Sequence, residues 1–143
     1  MNKPTLQQLT AALHEAWDEK TGYAGVGIWT RDNPARGQCV TSSLAVQDYF
    51  GGDIVRYQVN GDDIDETHYF NILDDGTVLD TTGSQYKIPV SMRPKPVNLG
   101  NYSTLRDKRL ADDETKYRYG LLKTKVESIL DKQAKGYKYA PHH

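Results

Sequence analysis

An α+β domain is the fold class this sequence predicts, and three observations carry the prediction. Apolar residues recur at helical spacing near the N-terminus, three short strand-like segments follow one another between residues 54 and 81, and a long amphipathic pattern runs from about residue 113 to 135. At 143 residues the chain reads as one domain spanning 1–143, long enough to bury a substantial core without metal or disulfide support.

The first helix is expected over residues 5–18. Thr5 followed three residues later by Gln8 forms a capping box, and Leu6, Leu9, Leu13, Ala16 and Trp17 then recur at helical spacing. Residues 21–36 contain four glycines or prolines and a short apolar patch, so they read as an irregular connector ending in the Asn33-Pro34 turn signal. From residue 39 to about 50, Val40, Leu44, Val46 and Phe50 fit an amphipathic helix stopped by Gly51-Gly52. Alternation predicts strands at 54–59, about 67–73 and 77–81, with an acidic loop over 61–66 and an Asp74-Asp75-Gly76 turn between them. Pro89, Pro94 and Pro96 each lack the N–H that a central strand must donate, which predicts an extended, surface-wrapping segment. A short helix follows at 105–111. The last helix, 113–135, places Tyr117, Leu121, Leu122, Val126, Ile129 and Leu130 on one side, with acidic residues in its first turn and lysines late, as the helix dipole favours.

Composition removes several function classes. With 18 Lys+Arg against 19 Asp+Glu, the net charge of -1 offers no global attraction to nucleic acid or to an anionic membrane. No apolar run approaches the roughly 20 residues needed to span a bilayer, and the first ten residues lack a signal-peptide core, so a soluble, cytoplasmic protein is expected. One cysteine cannot make an intramolecular disulfide, in keeping with a reducing compartment. Ten tyrosines suit a half-wet core or a groove, because each buries an apolar ring and keeps a polar tip available. No metal and no cofactor are expected. One cysteine and one well-placed histidine cannot build a structural zinc site, Asp62, Asp63, Asp65 and Glu66 lack calcium-loop spacing, and no glycine-rich phosphate loop is present. The lysines of the last helix alternate with acids and read as a solvated face, and the terminal His142 and His143 are given no weight.

The chemistry-bearing residue is Cys39, the single cysteine, where a loop gives way to a helix. A thiol there feels the positive end of the helix dipole and unpaired backbone N–H groups, both of which favour a thiolate. A nucleophilic cysteine needs a base, and the base needs a partner that sets its tautomer. His68 sits in a predicted strand, whereas His14 lies on the polar side of the first helix. Hairpin geometry links His68 to Asp80. If Asp74-Asp75-Gly76 is a three-residue loop with Gly76 left-handed, Leu73 pairs with Thr77, Phe70 with Asp80, and His68 with Thr82. His68 and Asp80 are then diagonal neighbours on one face, roughly 7 to 8 Å apart at the backbone. A two-residue Asp75-Gly76 loop would instead place Asp80 opposite Asn71, on the other face from His68. Taken singly, Cys39 is also a small core residue, His68 a structural histidine and Asp80 a turn carboxylate; it is their coincidence in one small domain that points to a triad.

The strings Asn33-Pro34-Ala35-Arg36-Gly37-Gln38-Cys39, Val46-Gln47-Asp48-Tyr49-Phe50-Gly51-Gly52, Thr67-His68-Tyr69-Phe70-Asn71 and Leu79-Asp80-Thr81-Thr82-Gly83-Ser84-Gln85-Tyr86 resemble the YunG-like family of small bacterial proteins. The resemblance covers roughly residues 30 to 135. The order Cys39, His68, Asp80 is also similar to papain-like and transglutaminase-like cysteine enzymes, in which a helix-borne cysteine packs on a small antiparallel sheet carrying the other two residues. That likeness implies an oxyanion hole from Asn33, six positions before the cysteine, or from its competitor Gln38, with the Cys39 backbone N–H as second donor. Trp29 and Gln85 are the accompanying substrate-binding candidates. The papain-type Cys-Trp pair and the long second domain of full-size proteases are absent, which argues against cleavage of large protein substrates.

The expected function is cysteine-dependent acyl transfer, as an amide or ester hydrolase, a deamidase or a transglutaminase-like enzyme. Its partner would be an amide- or ester-bearing small molecule, peptide or protein. The alternatives are a catalytically silent peptide- or protein-binding module on the same fold, and a regulator acting through a cysteine redox switch.

Overall fold

Capping and turn chemistry set where the elements start and stop. In the computed structural model, which describes residues 3–136, α1 spans Leu6–Ala16. The Thr5 hydroxyl accepts the Gln8 backbone N–H at 3.0 Å, and the Gln8 side chain accepts the Thr5 N–H at 2.9 Å, which is the capping box read from sequence. Helix α2 spans Cys39–Phe50 and ends at Gly51, whose N–H donates to the Gln47 carbonyl. Four antiparallel strands follow: β1 (Asp53–Gly61), β2 (Ile64–Ile72), β3 (Val78–Leu79) and β4 (Val90–Pro94), in the sheet order β3-β2-β1-β4. Helices α3 (Leu105–Leu110) and α4 (Asp113–Ala134) complete a mixed α+β fold, and short 3-10 turns lie at Ala24–Val26 and Gly83–Gln85. His142 and His143 lie outside the described residues.

Several expectations change, among them the third strand, read over 77–81, which is confined to Val78–Leu79. The acidic stretch 61–66 is no loop: Gly61 pairs with Ile64 across a tight Asp62-Asp63 turn, with Asp63 at a φ of 60°, and Asp65 and Glu66 belong to β2. The proline-bearing segment does not merely wrap the surface. Its residues 90–94 pair with β1 as an edge strand, and Pro94 sits at the strand's end where a missing N–H is tolerated. On α4 the buried stripe is Thr115, Tyr119, Leu122, Val126 and Leu130, an i, i+4, i+7 repeat, while Tyr117 is 62% exposed.

The core lies where α1, α2 and α4 meet one another and the sheet. Leu9 and Leu13 of α1, Ala45 and Val46 of α2, and Leu122 and Val126 of α4 are essentially inaccessible to solvent. Helix α2 is buried along residues 41–46 without a break, wider than the amphipathic stripe expected, because it is covered by both β2 and α4. Its small polar side chains are satisfied there. The Trp17 indole donates to the Ser42 hydroxyl at 2.8 Å, the Thr41 hydroxyl donates to the Thr21 carbonyl at 2.9 Å, and the Asn71 amide donates to the Ser43 carbonyl at 3.0 Å.

The β2–β3 hairpin has the three-residue loop. Asn71 pairs with Leu79 and Ile72 with Val78, the Leu73 N–H donates to the Thr77 carbonyl at 2.8 Å, and Gly76 is left-handed at a φ of 88°. Gly52, also left-handed at 74°, faces a different constraint, since a Cβ there would lie 2.4 Å from the Ile72 carbonyl oxygen. A Cβ at Gly76 would meet nothing within 4 Å. Gly76→Ala should therefore cost about 1–2 kcal/mol, the left-handed penalty alone, and Gly52→Ala distinctly more. Urea unfolding of the two variants measures the difference, and equal losses would show that close approach at Gly52 carries no penalty.

Candidate functional site

Cys39 is the first residue of α2, is half-buried and lines a cavity of about 490 Å³. The residue before it, Gln38, makes no capping hydrogen bond to the helix, so no N-cap side chain occupies the first-turn N–H groups beside the thiol. His68, on β2, is fully buried and does not itself line the cavity, and its Nε2–H donates to Asp80 Oδ2 at 2.8 Å. The hairpin register accounts for this bond, because it brings Asp80, just past the end of β3, diagonally across from His68 on β2. Tyr86 stands edge-on to the imidazole with ring centres 5.2 Å apart, and Phe70 lies 5.8 Å away on the same strand. Nδ1, the other ring nitrogen, is buried and has no hydrogen-bond partner among the described residues.

Electrostatics at His68 are decided by competition. Burial by itself would push its pKa down; the hydrogen bond to Asp80, then the influence of Cys39, outweigh that and raise it from the ordinary 6.5 to about 9. Tyr86 is shifted upward, by burial first and then by the nearby Glu66 carboxylate, which keeps its phenol protonated. Glu66 itself is held in a two-point pair by Arg36, at 2.5 and 2.9 Å.

The other sequence-chosen residues divide. Gln85 is buried, lines the cavity, and accepts from Arg36 at 3.1 Å. Asn33 donates its amide to the Gln85 carbonyl at 2.9 Å, which ties the loop before the cysteine to the turn after Asp80, and it does not line the cavity. Gln38 is fully buried with its amide spent, accepting from the Thr21 hydroxyl at 2.8 Å and donating to the Asp18 carbonyl at 2.9 Å; it braces the loop and is not directed at the thiol. Trp29 lies on neighbouring surface hollows, its indole donating to the Pro34 carbonyl at 2.9 Å, away from the Cys39 cavity. The walls hold residues that sequence reading passed over: Tyr23 from the connector, Tyr69 from β2, and Arg109, Thr115 and Arg118 from the α3–α4 corner. Among the missed residues Tyr69, Tyr86 and Glu66 carried a signal, since each lies within or beside the strings around His68 and Asp80. Among the described residues no group of His, Cys, Asp and Glu is placed to hold a metal ion, and no helix is long and apolar enough to cross a membrane.

Because the His68 pKa is raised on folding, the protonated ring stabilises the folded state fully below about pH 6.5, and that contribution is lost as pH rises through about 9. An NMR titration of the His68 ring should give a midpoint near 9 in the parent and a lower one in Asp80→Asn, with a smaller loss of urea stability between pH 6.5 and 9 in the variant. A parent midpoint at 6.5 would refute the coupling.

Comparison with known proteins places the chain in a family. The family model described as "YunG protein" matches residues 5–131. A Bacillus subtilis (strain 168) protein bearing the name "Uncharacterized protein YunG" is 30% identical over 91 residues, covering 64% of this chain and 71% of that protein. No solved structure matches this chain.

Proposed function

This chain belongs to the YunG family, and we propose that it works as a cysteine-dependent acyl-transfer enzyme, with Cys39 as nucleophile, His68 as base and Asp80 as orienting carboxylate. The single observation that carries the reading is the 2.8 Å bond from a fully buried His68 to Asp80, next to a cysteine that opens onto a cavity. Asp80 engages Nε2, so Nδ1 is the nitrogen left to exchange a proton with the thiol. A histidine kept protonated to about pH 9 suits a thiolate–imidazolium pair at neutral pH.

In the proposed reaction the Cys39 thiolate attacks an amide or ester carbonyl carbon, forming a C–S bond as the carbonyl electrons move onto oxygen. The first-turn N–H groups of α2, including that of Cys39, are the proposed donors to this oxyanion. With the Gln38 amide committed elsewhere and Asn33 holding the Gln85 loop, backbone donors take the role that the papain-like resemblance implied for those side chains. Collapse expels the amine or alcohol, which takes its proton from His68. Neutral His68 then removes a proton from water or an acceptor amine, which attacks the thioester and releases Cys39. The arrangement likens the chain to papain-like and transglutaminase-like enzymes in the order and placement of its three residues. Hydrolysis, deamidation and transfer to an amine share the first half of this cycle, and the soluble, cytoplasmic setting is part of the same proposal.

Iodoacetamide labelling followed against pH tests the pair. At pH 7 the His68→Ala variant should alkylate roughly ten- to thirtyfold more slowly than the parent, because an unassisted thiol is only a few per cent ionised there, and the parent's rate should hold into acid where the variant's falls away. Identical pH profiles in the two proteins would sink the enzyme and favour a silent binding module on this fold.

A further inference from the structure

The cavity beside Cys39 has a second polar wall that the triad does not use. Arg109, from the end of α3, and Arg118, from the second turn of α4, both line it. Each guanidinium is set against a tyrosine that also lines the cavity: Arg109 is 5.7 Å from the Tyr69 ring and Arg118 is 5.5 Å from the Tyr23 ring. Stacking of this kind orients the planar fork while leaving its edge N–H groups free to donate.

The charges around the two arginines are not equally compensated. Arg118 pairs with Glu114 at 3.3 Å across one helical turn. Asp112 feels both arginines, but its Oδ2 is taken by the Thr115 N–H at 3.0 Å and the Thr115 hydroxyl at 2.8 Å. The Glu66 carboxylate, also on the cavity wall, is held by Arg36. Arg109 has no carboxylate within ion-pair distance among the described residues. Its Nη2 donates to the neutral Thr115 hydroxyl at 3.1 Å, and its Nε is buried with no partner. A guanidinium drawn partly out of water with an unused donor lacks what a bound anion would supply.

We infer that the cavity accepts a carboxylate-bearing substrate, held by Arg109 with Arg118 beside it, so that the acyl group offered to Cys39 belongs to an amide or ester that also carries a carboxylate. This inference rests on the acyl-transfer reading for the identity of the reacting group. A singly charged carboxylate suits the wall better than a phosphate dianion, since Asp112 and Glu114 already offset part of the field of the two arginines. Tyr23 and Tyr69 supply flat apolar surface for the carbon chain between the two ends of such a substrate.

Two measurements test this separately from the triad. Cys39 is alkylated with iodoacetate and with iodoacetamide in the parent, in Arg109→Gln and in Arg109→Lys. The iodoacetate-to-iodoacetamide rate ratio should fall about three- to tenfold in Arg109→Gln and less in Arg109→Lys, which keeps the charge and guards against a folding artefact. In Cys39→Ala, where no alkylation occurs, N-acetylglycine and N-acetylglycinamide are titrated while the Arg109 Nε–H resonance is followed, and only the carboxylate should move it. An unchanged ratio in a reactive protein, or equal responses to the two ligands, overturns the carboxylate assignment. A carboxylate-specific response in Cys39→Ala, together with a parent Cys39 that alkylates no faster than an unassisted thiol, overturns the acyl-transfer reading and leaves the carboxylate site standing.

Discussion

The burial of α2 is the constraint on which the rest of the structure depends. Residues 41–46 are out of solvent on every side, with β2 against one face and α4 against another, so the helix has no freedom to slide or turn. A helix so enclosed must bury polar atoms, and it does so with short side chains whose bonds reach α1, the connector and β2. Each of those bonds also locates the helix relative to its neighbours. The consequence for chemistry is that Cys39, the first residue of this rigid rod, is placed by the core while its thiol remains open to a cavity.

The approach to Cys39 is braced in the same way. Gln38 links Thr21 to the Asp18 carbonyl, and the Asp18 side chain is paired with Lys125 of α4 at 2.7 Å. Asn33 ties the loop to Gln85, and Arg36 joins that loop both to Gln85 and to Glu66 of β2. The residues immediately before the cysteine are therefore attached to the turn that follows Asp80. On the far side, Arg106 of α3 donates to Asp48 of α2 at 2.7 Å, and the Tyr119 hydroxyl of α4 donates to the same carboxylate. This three-way contact holds the α3–α4 corner against the helix that carries the cysteine, and with it the arginines of the cavity wall.

His68 illustrates how a buried ionisable group is tolerated. Removing a histidine from water disfavours its charged form, and an unpaired imidazolium in the core would be costly. Asp80, itself only partly buried, offsets that cost through one short bond, and the enclosing rings of Phe70 and Tyr86 limit the directions the imidazole can take. The bond depends on backbone register more than on side-chain reach. One residue fewer in the loop after Leu73 would turn Asp80 to the opposite face of the sheet.

By itself the sequence determined most of the helix and turn boundaries, and it narrowed the facing of His68 and Asp80 to a choice between two loop lengths. The Thr5–Gln8 box started α1, Gly51-Gly52 ended α2, and Asp74-Asp75-Gly76 set a register that puts His68 and Asp80 on one face; each is a local rule acting over a few residues. Local rules could not say that Glu66 would leave its acidic run for a strand, that Gln38 would spend its amide on Asp18, or that Trp29 would face away from the thiol. They also could not bring Arg109 and Arg118 to the cavity of a cysteine some seventy positions earlier in the chain. Those outcomes were decided by tertiary packing, because a helix buried on all sides takes its neighbours from whichever elements cover it, and spacing along the chain carries no record of that choice.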